Sequence, residues 1–362
     1  MKAESVTATI STPTVKNEIH EREENGDHIR WAPLRGIPLE RRLQMFAVCT
    51  WMVLAFVCLL IFMGMASNIV FWPVLIAYVG FLYFDDAPEN GGRRFESTRH
   101  WTLWRYFASY FPVKLIKEAD LDPSKNYVLG YHPHGIISMG AFANFATEAT
   151  GFSKLFPGIR PSLLTLTQNF NMPFYRDLMM ALGLAAVSRR SCESILSSEP
   201  GRSIVIVIGG AAESLNARPG ISDLVLKKRL GFIRIAIRHG SPLVPVFSFG
   251  ENDLYEQVDN QKGTLLFKIQ KKLQSIMGFT MPLFHARGIF NYDVGIVPFR
   301  HQIATVVGKP IPVPSLEEGE TEPTQEQLLS VQKLYIEELE RIYDKYKDVY
   351  ALDRKQELRI IN

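Results

Sequence analysis

The stretch Tyr127-Val-Leu-Gly-Tyr-His-Pro-His-Gly135 organises the chain. Its first five residues are apolar or favour extended backbone, which is typical of a buried strand. Pro133 and Gly135 then end the strand in a turn, and two imidazoles are left where a rigid sheet can aim them. Because imidazole exchanges a proton near neutral pH, the turn is a candidate position for a general base. The alternative is a structural turn in which both rings cap backbone groups.

Strand-like and helix-like segments alternate through the rest of the chain. This alternation predicts an α/β sandwich with a mainly parallel sheet. Strands are predicted at 127–131, 184–188, 203–208, 243–249 and 303–307. Helices are predicted at 139–150, 174–182, 191–197, 224–238, 263–277 and 324–349. The last helix has capping-box spacing at Thr324 and Gln327, and its apolar stripe predicts a docking face formed by Leu328, Val331, Tyr335, Leu339, Ile342 and Tyr346.

An apolar hairpin is predicted at residues 43–84. Residues 43–63 carry no charge and are numerous enough to cross a bilayer as a helix. Residues 69–84 are also apolar but fewer, so two spans and one re-entrant loop both remain open. Arginines on both flanks predict that both ends face the cytosol: Arg35, Arg41, Arg42, Arg93, Arg94 and Arg99. The alternative is a buried helical pair in a soluble core.

Two segments flank the hairpin. Residues 1–42 form the N-terminal part, which is polar, has few aromatics and is predicted to be disordered. Residues 85–362 are predicted to form the folded domain. Residues 99–113 combine aromatic and basic side chains, which predicts a helix at the membrane surface. The alternative for this segment is an ordinary amphipathic helix that packs on the sheet.

Composition excludes several classes of protein. A formal net charge of +3 over 362 residues gives no global field for nucleic acid. The three cysteines, Cys49, Cys58 and Cys192, offer neither a disulfide framework nor zinc spacing. His132 and His134 lack the further ligands that a metal site needs, so no metal is expected. No Gly-X-Ser-X-Gly elbow occurs, which argues against a serine nucleophile.

Several motifs, in order, resemble those of the type 2 diacylglycerol acyltransferase family, which includes monoacylglycerol and wax-alcohol acyltransferases. The central match is His132-Pro133-His134-Gly135. The others are Tyr110-Phe111-Pro112, Gly209-Gly210-Ala211-Ala212-Glu213, Arg218-Pro219-Gly220, the run from Arg229 to Gly240, Val244-Pro245-Val246, Phe249-Gly250-Glu251-Asn252, Val297-Pro298-Phe299 and Val307-Gly308-Lys309-Pro310-Ile311. The resemblance implies a fold like that of the glycerol-phosphate acyltransferases.

The resemblance makes His134 the expected base, with His132 as the second choice. In the glycerol-phosphate enzymes an Asp follows the His after four intervening residues and orients it. Here Met139 stands at that distance from His134, and Ile137 from His132. Glu213 is the expected substitute, because it follows a predicted strand whose end should meet the same edge of the sheet. The alternative for Glu213 is a carboxylate at a helix N-terminus.

Acyl transfer also needs oxyanion donors and a grip on coenzyme A. Backbone N–H groups near Gly135, or near Gly209 and Gly210, are candidates for the oxyanion. The candidate phosphate ligands are Arg189, Arg190, Arg218, Lys227, Lys228 and Arg229. For any one of them, a solvated surface charge is the alternative. The family usually has Lys where this chain has Leu230.

The resemblance implies acyl-CoA-dependent acylation of diacylglycerol to triacylglycerol. Acyl-CoA is a substrate, so no cofactor is expected. The other expected partners are diacylglycerol and a phospholipid membrane, at the endoplasmic reticulum or a lipid droplet. Homo-oligomerisation stays open. Acylation of monoacylglycerol or a long-chain alcohol is the nearest alternative, and a non-catalytic hairpin protein that coats droplets is the alternative from another class.

Overall fold

The computed structural model describes residues 29–33, 35–257, 284–316 and 319–361. Its helices are α1 Leu39–Ala66, α2 Trp72–Phe84, α3 Glu96–Arg99, α4 Thr102–Tyr110, α5 Met139–Ala141, α6 Phe152–Leu155, α7 Tyr175–Ala181, α8 Arg189–Leu196, α9 Gly210–Ser214, α10 Gly231–Arg238 and α11 Gln325–Tyr350. Its strands are β1 Lys114–Lys117, β2 Tyr127–His132, β3 Arg160–Thr165, β4 Leu184–Ala186, β5 Arg202–Val207, β6 Asp223–Val225, β7 Leu243–Phe249, β8 Glu256–Gln257, β9 Phe284–His285, β10 Ala304–Val307 and β11 Arg359–Ile361.

The main sheet has seven strands in the order β1-β10-β7-β2-β5-β3-β4. The five strands from β7 to β4 are parallel, whereas β10 runs antiparallel to β7 and β1 follows the direction of β10. Two small sheets pair β6 with β11 and β8 with β9. The predicted α/β class with a mainly parallel sheet is therefore confirmed.

Strand β2 lies at the middle of this sheet, and all six of its residues are buried. Leu129 and Tyr131 face a core layer that also contains residues of α1 and α4. Val128 faces a second layer formed with α10 and α11. Helices thus cover both faces, which explains why β2 is apolar throughout instead of alternating with polar residues.

Helix α11 begins with the predicted capping box. The Thr324 side chain accepts from the Gln327 N–H at 3.2 Å, and the Gln327 side chain accepts from the Thr324 N–H at 2.8 Å. The predicted docking face is confirmed for Leu328, Val331, Tyr335, Leu339 and Ile342, which are buried, while Tyr346 is half-buried.

The hairpin forms as two helices. Leu39–Ala66 and Ile69–Glu89 are both long and apolar enough to cross a membrane, and most of their side chains are exposed in the isolated chain. The start of α1 belongs to the protein core, because Ala47 and Val48 are fully buried. Trp51 stacks on Phe142 with ring centroids 3.7 Å apart. The membrane-type helix therefore contacts the segment that follows the His-Pro-His-Gly turn.

Several side chains of residues 99–113 pack into the domain, and the location of this segment at the membrane surface stays a prediction. Within α4 and after it, Trp104, Tyr110 and Phe111 are buried in the core. Arg99 is fully buried; its guanidinium donates to two backbone carbonyls and to the Glu148 carboxylate at 3.1 Å. Trp101 is the aromatic side chain of this segment that stays exposed. The buried side chains attach the segment to the domain, while Trp101 faces outward.

Two other secondary-structure predictions differ from the structure. The helix predicted at 224–238 is wrong in its first half, since residues 223–225 form β6 and α10 begins at Gly231. The helix predicted at 139–150 is short: α5 leads into a π-helical turn that ends at Ala146. Strands β1, β3, β6, β8, β9 and β11 were not predicted. The helix predicted at 263–277 and the first 28 residues lie outside the described part of the chain.

Candidate active site

Three segments converge where the parallel strands β2, β5 and β7 end. The His132–Gly135 turn follows β2, a glycine turn leads from β5 into α9, and Gly250-Glu251 follows β7. Because β2 is hydrogen-bonded to both neighbours in parallel register, the three carboxyl ends meet at one edge of the sheet. Ligands bind at this edge in open α/β sheets.

The imidazole of His134 has a defined tautomer. Its Nδ1 lies 3.1 Å from the Gly135 carbonyl oxygen and 2.9 Å from the Ser214 Oγ. A carbonyl oxygen only accepts hydrogen bonds, and the Ser214 hydroxyl donates to the Gly210 carbonyl at 3.3 Å. These contacts assign the ring proton to Nδ1 and the lone pair to Nε2. Burial lowers the pKa of His134, which keeps the ring neutral at pH 7. Such a ring can accept a proton at Nε2.

Glu213 lies next to His134, but it contacts the main chain. One carboxyl oxygen accepts from the His134 N–H at 2.6 Å, and the other accepts from the Val225 N–H at 3.0 Å. The expectation that Glu213 holds the imidazole is wrong in this respect, because Gly135 and Ser214 contact the ring instead. Glu213 fixes the turn that carries the ring. Burial raises its pKa to about 7.

His132 points into the core. Its Nε2 lies 3.0 Å from the Tyr335 hydroxyl, which itself donates to the Gly130 carbonyl at 3.0 Å. The hydroxyl proton is thus committed, so His132 Nε2–H must be the donor to Tyr335. Burial lowers the pKa of His132 to about 3. A fully buried neutral ring held by α11 fits the structural role that was the alternative for this turn.

Glu251 is a buried carboxyl group at the same edge to which the sequence interpretation gave no role. It accepts from the Tyr131 hydroxyl at 2.6 Å and from the Gly140 N–H at 3.0 Å. Burial raises its pKa to about 7. A Cβ atom on Gly135 would lie 2.8 Å from the Glu251 Cγ, so the two residues are in direct contact. In the sequence, the signal that could have identified Glu251 is its position just after the predicted strand 243–249.

The glycines of both turns permit close approach of these carboxyl groups. Gly209 has φ +104°, and a Cβ atom there would lie 2.1 Å from a Glu213 carboxyl oxygen. Gly135 has φ +60° and faces Glu251 in the same way. Larger residues at either position would displace a buried carboxyl group. The two turns proposed to donate hydrogen bonds to the oxyanion are therefore also in contact with the side chains of Glu213 and Glu251.

Among the predicted phosphate ligands, Arg229 contacts the site directly. Its guanidinium donates to the Gly209 carbonyl at 3.1 Å, and its charge opposes the effect of burial on the pKa of Glu213. Lys227 and Lys228 precede it and are exposed, and Arg218 is half-buried. These four residues lie on the segment that joins α9 to α10.

Arg189 and Arg190 are paired with carboxylates instead. Arg189 binds Glu193 at 2.7 Å, and Arg190 binds Asp86 at 2.6 Å. Both begin α8 after β4, which is separated from β2 by β5 and β3. With strands about 4.8 Å apart, this places them roughly 14 Å along the edge from the base.

Other chemistries find less support in the described residues. Across residues 29–33, 35–257, 284–316 and 319–361, no three His, Cys, Asp or Glu side chains are grouped to hold a metal ion. Cys192 is buried, and burial raises the pKa of its thiol to about 12. A protonated buried thiol is a poor nucleophile. A neutral imidazole at a sheet edge, next to two buried carboxyl groups, can accept the proton of a hydroxyl that attacks an acyl group.

Comparisons with known proteins agree with this class of site. The diacylglycerol acyltransferase family profile matches residues 62–361. Diacylglycerol O-acyltransferase 2B of Umbelopsis ramanniana is 64% identical over 92% of this chain and 97% of its own length. Diacylglycerol O-acyltransferase 2 of Dictyostelium discoideum is 47% identical over 92% and 99%. Bovine 2-acylglycerol O-acyltransferase 1 is 46% identical over 91% and 98%.

The chain belongs to the diacylglycerol acyltransferase family. It is an O-acyltransferase, as the relatives' names and the site agree. No solved structure matches the chain, so the expected likeness to the glycerol-phosphate acyltransferase fold is not confirmed.

Proposed function

We propose that this enzyme transfers a fatty acyl group from acyl-CoA to the free hydroxyl of diacylglycerol, making triacylglycerol. The observation that carries the proposal is the hydrogen bond between His134 Nδ1 and the Gly135 carbonyl, which leaves Nε2 as a base. Nε2 takes the hydroxyl proton while the hydroxyl oxygen attacks the thioester carbon. The tetrahedral intermediate then expels the coenzyme A thiolate, which takes the proton from the imidazolium.

The neighbouring residues have supporting roles in this proposal. Glu213 holds the His134 main chain, and Ser214 with the Gly135 carbonyl orients the ring. Backbone N–H groups at Gly135 or at Gly209 and Gly210 stabilise the oxyanion. The segment of Arg218, Lys227, Lys228 and Arg229 takes the phosphates of coenzyme A, since Arg229 already contacts the site.

The proposed reaction takes place at a membrane. Helices α1 and α2 are compatible with membrane association, and the acceptor and the acyl chains dissolve in a bilayer. The stacking of Trp51 on Phe142 connects α1 to the segment after the catalytic turn. We place the enzyme in the endoplasmic reticulum or on a lipid droplet, with both ends of the hairpin facing the cytosol.

The test is an assay in microsomes with labelled oleoyl-CoA and three acceptors offered side by side: diacylglycerol, monoacylglycerol and hexadecanol. We expect label in triacylglycerol, and a loss of roughly 10²–10⁴-fold in His134→Ala. His239→Ala is the matched control, since His239 lies at the end of α10 and bonds Ser197. Full activity in His134→Ala at equal protein level would remove this base from the mechanism.

Monoacylglycerol is the second candidate acceptor, because the bovine relative is named for 2-acylglycerol. The same assay separates the two substrates. Label mainly in diacylglycerol made from monoacylglycerol would keep the mechanism and replace the acceptor. A hydrophobic pocket distinguishes acceptors by only about 1–3 kcal/mol per methylene, so some activity on both is expected.

A further inference from the structure

A small apolar surface outside the active site is built from two segments distant in sequence. Residues 286–297 fold back on themselves, with the Arg287 and Val297 main chains exchanging hydrogen bonds of 3.0 and 2.9 Å. Residues 30–32 add alongside: the Ala32 N–H donates to the Phe290 carbonyl at 2.8 Å. We call the outward side chains of this structure the apolar platform, formed by Ile29, Trp31, Ile289, Phe290, Val294 and Ile296.

The platform side chains are exposed although their backbone is held in place. Each of the six is between 45% and 69% exposed. Beneath them Ala286 and Val297 are buried, and the Arg287 guanidinium lies over the Tyr292 ring at 4.8 Å. An ion pair between Arg30 and Asp293, at 2.9 Å, joins the two segments. Several exposed apolar side chains on one ordered support indicate a candidate interaction site.

The platform lies beside the point where α1 begins. Arg300, close after the fold-back, donates to the Gln44 side chain at 2.6 Å and to the Arg41 carbonyl at 3.2 Å. Gln44 and Arg41 belong to the first turns of α1. The other platform segment ends just before α1 along the chain. One platform segment is thus followed by a residue that bonds the N-terminal end of α1, and the other segment precedes α1 along the chain. Helix α1 is long and apolar enough to span a bilayer.

We propose that the apolar platform inserts shallowly into the lipid leaflet that α1 enters. The proposal rests on the membrane location proposed above. It fits a lipid surface because Trp31 and Phe290 are the kind of aromatics found at membrane boundaries. Exposed Arg41 and Arg42 stand at the same end of α1 and suit anionic headgroups. Phe46 of α1 is also an exposed apolar side chain.

The platform gives the domain a second attachment, separate from the hairpin. The hairpin packs on the domain through Ala47, Val48 and Trp51, and the platform would add a contact with the leaflet outside the hairpin. This second contact would restrain how the sheet edge with His134 faces the leaflet. The expected benefit is therefore access to acceptor within the bilayer, not a change in the chemical step.

The test measures lipid contact at single positions in the full-length enzyme. The native cysteines Cys49, Cys58 and Cys192 are replaced by alanine, and retained acyl transfer shows that the fold survives. Single cysteines are then introduced as Phe290→Cys, Trp31→Cys, Phe56→Cys and Lys333→Cys, and each is labelled with the fluorophore NBD. The proteins are reconstituted in phosphatidylcholine vesicles with and without lipids carrying a doxyl quencher near the headgroup or deep in the chain.

We expect the shallow quencher to quench the two platform positions and the deep quencher to quench Phe56→Cys in α1. Lys333→Cys, exposed on α11, should respond to neither. Quenching at Phe56→Cys without quenching at the platform would overturn this inference alone. Fluorescence that is shifted to the blue but not quenched at the platform would also overturn it, since a protein would then be the partner. Absence of quenching at Phe56→Cys would overturn the membrane location as well.

A kinetic measurement provides a second readout. In Phe290→Ser/Ile296→Ser, we expect a several-fold higher KM for diacylglycerol presented in vesicles. Activity on a dispersed short-chain diacylglycerol should be unchanged, because neither residue belongs to the catalytic site. An equal loss on both substrates would contradict a role in lipid contact.

Discussion

Glu213 and Glu251 are buried carboxyl groups. Among the described residues, their hydrogen bonds come from backbone N–H groups and from the Tyr131 hydroxyl, and none comes from a cationic side chain. Each accepts a hydrogen bond from a backbone N–H, which favours the charged form, yet burial raises both pKa values to about 7. They lie on either side of the catalytic turn, since Glu213 binds the His134 N–H and Glu251 contacts Gly135. The charge state of the site therefore changes near neutral pH.

This burial predicts a pH-dependent stability. Between about 4.5 and 7 the folded state keeps protons on Glu213 and Glu251 that the unfolded state has released. The free energy of unfolding should therefore fall as pH rises through this window, by a few kcal/mol in total. Denaturant titrations of the enzyme in detergent at pH 5 and pH 8 measure the effect. Glu251→Gln should flatten the dependence, whereas exposed Glu320→Gln should leave it unchanged.

For single residues, the sequence identified candidates for the site but did not show which groups those residues contact. The turn carrying His134 followed from an apolar run ended by proline and glycine. Whether Glu213 binds the imidazole or the main chain depends on a shift of a few ångströms in α9, which no pattern records. Glu251 was harder still, because its contact with Tyr131 joins residues 120 positions apart.

The packing of helix α11 against strand β2 depends on Gly130, which has no side chain. A Cβ atom on Gly130 would lie 2.0 Å from the Tyr335 hydroxyl and 2.7 Å from a methyl carbon of Ile208. The glycine lets the helix approach the middle strand closely enough for Tyr335 to bond both the Gly130 carbonyl and His132.

We therefore expect Gly130→Ala to destabilise the fold by about 1–3 kcal/mol through overpacking. Tyr335→Phe removes the atom that clashes most and should rescue part of this loss in the double variant, although it costs the His132 hydrogen bond. Thermal unfolding of the two single variants and the double variant gives the coupling energy. Purely additive effects would show that Gly130 and Tyr335 do not meet as described.

The elements that sequence patterns predicted best are those with local signals. Residues 243–249 form a strand with the predicted bounds, and α11 was predicted from its cap and stripe. Residues 224–238 were predicted as one helix because their apolar spacing continues. The first of these residues instead pair with β11, more than a hundred positions away. Strand β3 contains Pro161 in a short run, which weakened its strand signal.

In the whole molecule, the hairpin is part of the folded domain as well as long and apolar enough to cross a membrane. Ala47 and Val48 are fully buried, and Trp51 stacks on Phe142. Tyr78 of α2 also bonds the Asp177 carboxylate at 2.5 Å. The hairpin is consequently held to the domain by both apolar and polar contacts.

A chain that begins at Gly92 should therefore fail as a soluble enzyme. Loss of these contacts should lower the free energy of unfolding by more than about 3 kcal/mol, the usual scale for removing one large core side chain. Melting in detergent and activity on dispersed diacylglycerol measure the effect, with a chain lacking only residues 1–28 as the control. A stable, active protein without α1 and α2 would show that the hairpin is only an anchor.

The pairing of β11 with β6 connects residues 359–361 to the His132–Gly135 turn through Glu213. Ile361 is the register partner of Val225, whose N–H binds Glu213, and Glu213 in turn binds the His134 N–H. Deletion of residues 359–361 would free the edge of β6 and loosen this series of contacts. A change more than two hundred residues away from His134 would then lower activity while leaving every residue of the proposed site in place.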